Sequence, residues 1–443
     1  MIAIVGVAIA TVRITPSAES KGLDVSRVAS EGQPKRLGRG AGKLSAQRRA
    51  ENRSASGFVS PLLVTITVDT TADVPVLSAC TAAPADCTLR GAVEFANANP
   101  GTTISVPAGT YTLTIPGGAV EGFNGDNLIG DLDFRADNTV VIGAGASTTI
   151  IQQTAPNDRV IELNPFLDPD FDFSVSGVTI SGGKETTFVG GGGIISGSIN
   201  NTTTVTNCTF SGNSANGPGG GGISHQGGSL TVTGSTFSGN SASSSGGAIG
   251  YSAGDPFGRL PSTGALIISG STFNNNTASS TAGGGGGLDL YNFNGGIGSY
   301  SVSTSSFSGN AASNGSGGAI LVESGPLTVT TSSLASNSAG ASGGAIASNQ
   351  SASITYSRLV GNTVPIATNG VTLFRGGGTM TAEDNWWGRN AGPAPNDFRA
   401  SGGVSITPST WLQLRHSASP ATVCVGDTST LSADILGRNA GSA

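Results

Sequence analysis

The chain has 443 residues, of which 70 are glycine, 11% are charged and 37% are hydrophobic. Its net charge of −6 argues against the broad basic surface of a nucleic-acid-binding protein. Its regularly spaced hydrophobic residues exclude a wholly disordered chain.

The first 57 residues differ from the rest of the chain. They hold ten basic and four acidic residues, so the remainder holds 11 basic (21 − 10) and 23 acidic (27 − 4). Ile2 to Val12 is an apolar run of 11 residues, too short to span a bilayer. We expect residues 1–57 to be a signal-like segment, with cleavage near Ala18, followed by a basic disordered leader. A nucleic-acid-binding tail is the alternative, and no other run predicts a transmembrane span.

Residues 58–110 are predicted to cap the body of the chain. Cys80 and Cys87 flank a loop-like stretch, where a short disulfide suits an exported protein and a zinc site is the alternative. Thr88 is a candidate N-cap for a short amphipathic helix. The helix would bury one face, made of Leu89, Ala92, Val93 and Ala96. Of the other two cysteines, Cys208 is predicted to be buried and Cys424 looks unpaired.

A repeated unit then dominates the sequence. A phenylalanine or leucine is followed, three residues later, by asparagine, and the unit recurs every 25 to 36 residues. The apolar members are Phe210, Phe237, Phe273, Phe307, Leu334 and Leu359, and the polar members are Asn213, Asn240, Asn276, Asn310, Asn337 and Asn362. Such a period is typical of a solenoid.

The pattern within each repeat predicts the architecture. Alternating residues and paired glycines indicate three short strands per coil, and therefore a right-handed parallel β-helix over residues 111–408. Neighbouring coils lie about 4.8 Å apart, so equivalent residues should stack into one phenylalanine/leucine ladder and one asparagine ladder. We expect asparagine to take the left-handed conformation at its corner and to bond to the next coil. Both ladders are interpreted as structural rather than catalytic.

The pattern changes at the end of the array. Trp386 and Trp387 are predicted to cover the last coil, and sugar binding is the alternative role for their rings. Residues 409–443 are predicted to begin an Ig-like β-sandwich, which implies a piece of a longer protein.

Several motifs resemble those of a known group. Cys87-Thr-Leu-Arg-Gly-Ala92, after Cys80, resembles the CSLREA motif of exported bacterial β-helix proteins, although Gly91 replaces its glutamate. Gly130–Asp133, Asp158–Val160 and the Asn385–Pro393 region resemble later segments of that group. The repeats resemble those of the chlamydial polymorphic outer membrane proteins. The resemblance implies a pectin-lyase-like β-helix and export to the cell surface, with a role such as an adhesin.

Charged residues are scarce within the repeats. Asp289 and Glu323 are the best candidates for a catalytic pair, because they should point outward on adjacent coils at a separation of about 8 Å. Two unrelated surface acids are the alternative. His225 is expected to be a satisfied or end-lining histidine rather than a general base.

Acidic clusters raise the possibility of calcium, although no cofactor is predicted. Asp168, Asp170 and Asp172 alternate and could bind calcium, as could a looser set of Asp126, Asp131 and Asp133. Neither set matches a calcium-loop pattern.

The sequence therefore predicts a secreted or outer-membrane-associated surface protein, monomeric and without enzymatic activity. Its expected partners are glycans or other surface molecules. The alternative is a polysaccharide lyase or glycoside hydrolase.

Overall fold

A computed structural model describes residues 64–74, 80–117, 127–163, 171–186, 190–197, 200–254, 263–280, 283–292, 297–401, 406, 408–419, 421–422 and 429–439. The predicted leader, residues 1–57, lies outside the described residues, as do Asp126, Asp168, Asp170 and Cys424. None of the helices in the described ranges is long and apolar enough to cross a membrane.

The body of the chain is a right-handed parallel β-helix with four sheets. A complete coil contributes one strand to each sheet in turn, and each strand pairs in parallel with the equivalent strand of the next coil. Sheet A contains Thr65–Thr67 (β1), Thr103–Val106 (β2), Thr139–Gly143 (β5), Asp172–Ser176 (β8), Thr202–Thr206 (β12), Ser229–Thr233 (β16), Thr263–Ser269 (β20), Ile297–Ser303 (β24), Leu327–Thr330 (β28), Ala352–Thr355 (β32) and Met380–Thr381 (β35).

Sheet B follows sheet A around each coil and carries the phenylalanine/leucine ladder. It contains Gly109–Leu113 (β3), Thr149–Gln153 (β6), Thr179–Ser181 (β9), Thr209–Ser211 (β13), Thr236–Ser238 (β17), Thr272–Asn274 (β21), Ser306–Ser308 (β25), Ser333–Ala335 (β29) and Arg358–Val360 (β33).

Sheet C is built from two-residue strands after the ladder asparagines. It contains Lys184–Glu185 (β10), Ser214–Ala215 (β14), Ser241–Ala242 (β18), Thr277–Ala278 (β22), Ala311–Ala312 (β26) and Ser338–Ala339 (β30). The prediction of three strands per coil is therefore wrong by one, because a two-residue strand leaves no alternation to detect.

Sheet D completes each coil after the paired glycines. It contains Leu132–Phe134 (β4), Ile161–Leu163 (β7), Ile194–Ser196 (β11), Ile223–Gln226 (β15), Ile249–Ser252 (β19), Leu288–Tyr291 (β23), Ile320–Val322 (β27), Ile346–Ser348 (β31), Leu373–Arg375 (β34) and Phe398–Ala400 (β36).

The interior is filled by stacked side chains. Phe210, Phe237, Phe273 and Phe307 are fully buried, and their rings stack at 4.5–4.8 Å with interplanar angles of 2–3°. Leu334 and Leu359 continue the same column in register. Parallel pairing at one spacing forces equivalent residues above one another, so one residue type fills a whole column.

The asparagine ladder closes the corner between sheets B and C. Each side-chain amide donates to the side-chain oxygen of the next asparagine at 2.9–3.0 Å, from Asn213 through to Asn362. The predicted hydrogen bond to the neighbouring coil is confirmed. The predicted left-handed conformation of the ladder asparagines is wrong. That conformation belongs to the preceding residue, such as Gly212 with φ 62° or Asn275 with φ 53°.

A short helix packs over the first coils. Helix α1 spans Leu89–Ala98, and Thr88 caps it by accepting a hydrogen bond from the Gly91 amide at 3.0 Å. Its predicted apolar face is buried, and Arg90 is also only 1% exposed. The Arg90 guanidinium pairs with Asp73 and donates to the carbonyls of Gly130 and Asp131. Strands β1 and β2, within the segment predicted as the cap, already belong to sheet A.

At the other end of the solenoid, a tryptophan fills the core and a hairpin follows it. Trp387 is 3% exposed and packs edge-to-face on Phe398 at 5.0 Å. Beyond it, Leu412–Ser419 (β37) and Thr430–Arg438 (β38) form an antiparallel hairpin. The Ig-like assignment of residues 409–443 stays a prediction.

Candidate functional site

The corner between sheets A and B has an unusual backbone. One residue in each coil takes a left-handed conformation there, with φ between 47° and 65°. Down the chain this column consists of Gly177, Asn207, Gly234, Gly270, Thr304, Thr331, Tyr356 and Asp384. Glycine and asparagine adopt this conformation readily, but a bulky aromatic residue rarely does. Tyr356 is therefore a strained position, and it is 50% exposed.

A serine ladder holds this corner in place. The backbone amide of each ladder serine donates to the hydroxyl of the equivalent serine in the next coil. The amide of Ser305 donates to Ser332, and that of Ser332 to Ser357, at 3.1 Å each. Each hydroxyl in turn donates to a carbonyl two residues earlier. The ladder fixes the corner backbone, so the left-handed residues beside it project from a rigid edge.

A groove runs along this edge and ends against the C-terminal hairpin. Its cavity volume is about 390 Å³. The lining residues are Thr304, Ser305, Ser306, Thr331, Ser332, Ser333, Tyr356, Ser357, Arg358, Trp386, Leu412 and Ile435. We call this the corner groove.

Aromatic and cationic groups converge at one end of the corner groove. Arg438, from strand β38, donates to the Tyr356 hydroxyl at 2.7 Å and lies 5.8 Å from its ring centre. Arg438 also pairs with Asp384 at 2.7 Å, so its charge is balanced. Arg358 is exposed, and among the described residues no carboxylate pairs with it. The groove therefore combines an aromatic ring, hydroxyl groups and one unbalanced positive charge.

The sequence reasoning missed Tyr356 and Arg358 as site residues. A signal was present, since Tyr356 precedes Leu359 by three residues, as Gly234 precedes Phe237 and Gly270 precedes Phe273. Aligning the repeats on the ladder shows that tyrosine replaces glycine at a corner. Trp387 fills the core at the end of the array, as the capping prediction expects, and Trp386 lines the groove. Sugar binding by these rings stays a prediction.

The structure corrects the expectation for the acidic pair. Asp289 and Glu323 do lie on the outer face of sheet D, since Leu288 and Ile320 pair in register and are fully buried. Asp289 is not a surface residue, however, being only 3% exposed. Glycine-rich loops from sheet C cover this face; a side chain at Gly283 would lie 2.6 Å from a Glu323 carboxylate oxygen.

Glu323 is exposed, so this covering changes the chemistry of Asp289 above all. Burial, reinforced by the charge of Glu323, holds the pKa of Asp289 well above its ordinary value. Burial also raises the pKa of Glu323 and, with the charge of Asp289, that of Tyr291. The Ser245 hydroxyl hydrogen-bonds to Asp289. Asp289 is thus a covered, proton-holding acid rather than a carboxylate open to a polymer.

His225 is also buried, but it is not satisfied as expected. Its ring lies 5.5 Å from that of Tyr251 in a near-parallel stack. Neither ring nitrogen has a hydrogen-bond partner in the described part of the chain. Burial lowers the pKa of His225 to about 3, so the ring is neutral over the physiological range.

A third cluster of charges lies near the start of the solenoid. Arg159 forms ion pairs with Glu162, Glu185 and Asp131, and the last of these spans 3.6 Å. Side-chain oxygens of Asp131, Asp133 and Glu162 lie within 4.8 Å of one another, and all three residues are buried. Of the two acidic sets predicted from sequence, Asp131 and Asp133 are described and buried, Asp172 is described and exposed, and the other members lie outside the described ranges.

The three described cysteines do not line the corner groove. Cys80 and Cys87 form a disulfide in the loop before helix α1. Cys208 is buried in the corner column of the serine ladder, and burial raises the pKa of its thiol to about 11. Such a thiol is inert, so it acts as a small apolar side chain.

Comparisons with known proteins were made for the whole chain. Residues 234–250 match the Chlamydia polymorphic membrane protein (Chlamydia_PMP) repeat. No curated protein matches the sequence. The chain is similar in structure to ORF18 of Geobacillus virus E2, with 13% identity and a TM-score of 0.38, over 85% of this chain and 65% of the viral chain.

A second solved structure is the A-module of the mannuronan C-5 epimerase AlgE6 of Azotobacter vinelandii. It has 15% identity and a TM-score of 0.25, over 71% of this chain and 95% of that chain. The β-helix is established by the strand pairing of the chain itself. The repeat match, which falls on one coil, suggests a surface-exposed bacterial protein.

Proposed function

We propose that this protein is an exported surface protein that binds anionic saccharides in the corner groove without cleaving them. The regular array of serine, threonine, asparagine and glycine gives a long polar surface with few charges. The match to a polymorphic membrane protein repeat supports display at a bacterial surface.

The observation that carries the proposal is the exposed, left-handed Tyr356. A bulky residue in this conformation costs about 1–2 kcal/mol relative to glycine. Glycine occupies the same corner in three earlier coils, at Gly177, Gly234 and Gly270. Strain of this kind is concentrated at functional sites, where the surrounding structure enforces it.

The surrounding groups fit a sugar acid. An aromatic face packs against the apolar face of a pyranose ring, while hydroxyls of Thr331 and Ser333 can exchange hydrogen bonds with sugar hydroxyls. Arg358 supplies a guanidinium for a carboxylate or sulfate group. These requirements together favour an anionic saccharide over a neutral one.

The catalytic alternative receives no support from the groove or from the acidic pair. Glycoside hydrolysis requires two carboxyl groups on either side of the scissile bond. Asp289 is covered by loops, so it cannot take that position in this conformation.

The proposal predicts that Tyr356→Gly weakens binding without harming the fold. Glycine relieves the backbone strain, so thermal stability should be unchanged or higher. Loss of the ring should weaken binding of polygalacturonate oligosaccharides by about tenfold or more, which corresponds to about 1.4 kcal/mol. Isothermal titration calorimetry on the full chain would measure the affinities of wild type and of Tyr356→Gly.

Two controls make the test specific. Asn207→Gly changes the same corner column outside the groove and should leave the affinity unchanged. Arg358→Gln should weaken binding to polygalacturonate and to dextran sulfate, and unmodified dextran should bind poorly to every variant. Equal affinities for wild type and Tyr356→Gly would disprove the groove assignment.

A further inference from the structure

The buried acidic cluster near the start of the solenoid has a geometry that the surface-binding role does not use. Asp133 and Glu162 are in register on neighbouring strands β4 and β7, so their side chains lie side by side on the outer face of sheet D. Asp131 precedes β4 by one residue. One side-chain oxygen from each of these three residues falls within 4.8 Å of the other two.

Two members of the cluster are buried with oxygens that nothing satisfies. Asp131 is 1% exposed, and neither carboxylate oxygen accepts a hydrogen bond from the described residues. Glu162 is 3% exposed, and its Oε1 atom is also without such a partner. A buried carboxylate oxygen without a donor costs free energy, so such atoms are rare unless a ligand meets them.

Arg159 approaches only one oxygen of each of these two carboxyl groups. Its guanidinium lies against Oε2 of Glu162 and Oδ2 of Asp131, on one side of the cluster. Oε1 of Glu162 and Oδ1 of Asp131 remain. The arginine thus fixes both carboxylates while it leaves one oxygen of each for another cation.

The balance of charge points the same way. Three buried carboxyl groups, from Asp131, Glu162 and Glu185, form ion pairs with the single guanidinium of Arg159. The Arg90 guanidinium, which also acts on Asp131, is paired with Asp73. With Asp133 beside Glu162, the cluster holds more carboxyl groups than Arg159 alone can pair with.

We propose that Asp131, Asp133 and Glu162 bind one divalent cation, and that this cation is calcium. Carboxylate oxygens are hard ligands, which favours calcium or magnesium over zinc, and flexible carboxylate coordination favours calcium. Arg90 of helix α1 donates to the carbonyls of Gly130 and Asp131. The ion would therefore hold the loop at Gly130 and Asp131, to which helix α1 is hydrogen-bonded, against the first coils.

The test uses the full chain, stripped with a chelator and then titrated with calcium chloride at neutral pH. The proposal predicts one tightly bound calcium per chain by elemental analysis, and a rise in thermal midpoint of about 3–5 °C at saturation. Asp131→Asn should lose both effects. Without calcium this variant should fold at least as well as wild type, because it removes a buried charge.

Asp172→Asn is the matched control, because Asp172 is an exposed acid from the other acidic segment. It should bind calcium and be stabilised as wild type is. Loss of binding in Asp172→Asn but not in Asp131→Asn would move the site to that segment and overturn the proposal. Failure of wild type to bind calcium would show that protons alone balance the cluster, which would also overturn it.

Discussion

At the scale of single residues, burial without an ion-pair partner favours the uncharged forms of His225 and Asp289. His225 and Asp289 lie on opposite faces of sheet D, one in the core and one under the loops. Burial acts on both in the same way, by disfavouring the charged form. Because one is a base and the other an acid, their effects on stability run in opposite directions with pH.

For His225, acid should be destabilising. The unfolded chain takes up a proton near the ordinary pKa of 6.5, whereas the folded protein does so only near 3. Stability from this group is therefore complete above pH 6.5 and is lost as the pH falls toward 3. His225→Phe keeps the stack on Tyr251 and removes the titration. Between pH 7 and pH 4, urea unfolding should show the variant losing about 3 kcal/mol less than wild type; equal losses would contradict the assignment.

For Asp289, base should be destabilising. Its folded pKa lies above the ordinary 3.8, so its stability is complete below pH 3.8 and declines as the pH rises toward the folded pKa. Asp289→Asn keeps a group that can bond to Ser245 and removes the charge. In thermal unfolding, the midpoint of the variant minus that of wild type should be larger at pH 8 than at pH 4. A gain of the same size at both pH values would show that the residue does not titrate in this range.

The sequence predicted the direction of these side chains but not their environment. Alternation within a strand correctly places His225 inward and Asp289 outward. Whether an outward residue is exposed depends on the loops of the same and neighbouring coils, which the strand pattern does not describe. The positions of Gly219 and Gly283 show the covering, since a side chain at either would collide with the outer face of sheet D.

At the scale of the elements, the corners determine the shape of the coil. Two hydrogen-bonded ladders, one of asparagine and one of serine, connect successive coils along the corners that flank sheet B. The asparagine ladder could be predicted because asparagine stands out in each repeat. The serine ladder could not be predicted, because serine is common throughout the chain. In the sequence, the buried ladder serines look the same as the exposed ones.

The asparagine ladder gives a stability prediction. Asn276 is fully buried and accepts hydrogen bonds from the amide and side chain of Asn240. It also donates to Phe237 and to Asn310. Asn276→Ala would remove four buried hydrogen bonds, including the one that the Asn240 amide donates, and should lower the free energy of unfolding by about 4 kcal/mol.

Asn274 supplies the matched control for that change. It lies two residues away on the same coil, on the outer face of sheet B. Asn274→Ala should change the free energy of urea unfolding by less than about 0.5 kcal/mol. Similar losses for the two variants would mean that the ladder adds no specific stability.

At the scale of the whole molecule, the solenoid converts repeated sequence into continuous surfaces. The fold class was predictable, because the ladder positions recur and only one architecture stacks them at a constant spacing. The corner groove was not predictable, because one of its walls comes from the hairpin of β37 and β38. Leu412 and Ile435 of that hairpin line the groove. That placement follows from contacts distant in sequence.

The rigid edge of the groove also explains why one exposed ring could be effective. The serine ladder fixes the backbone of Tyr356, and Arg438 holds its hydroxyl. A ring that is already positioned loses little conformational entropy on binding, so affinity follows from preorganisation.

The most direct test of binding without cleavage is to incubate the full chain with polygalacturonate and measure both retention and polymer mass. Size-exclusion chromatography with light scattering reports the two quantities together. We predict that wild type retains the polymer, that Tyr356→Gly does not, and that the polymer keeps its original mass. Retention that is the same in both proteins, or a falling polymer mass, would contradict the account.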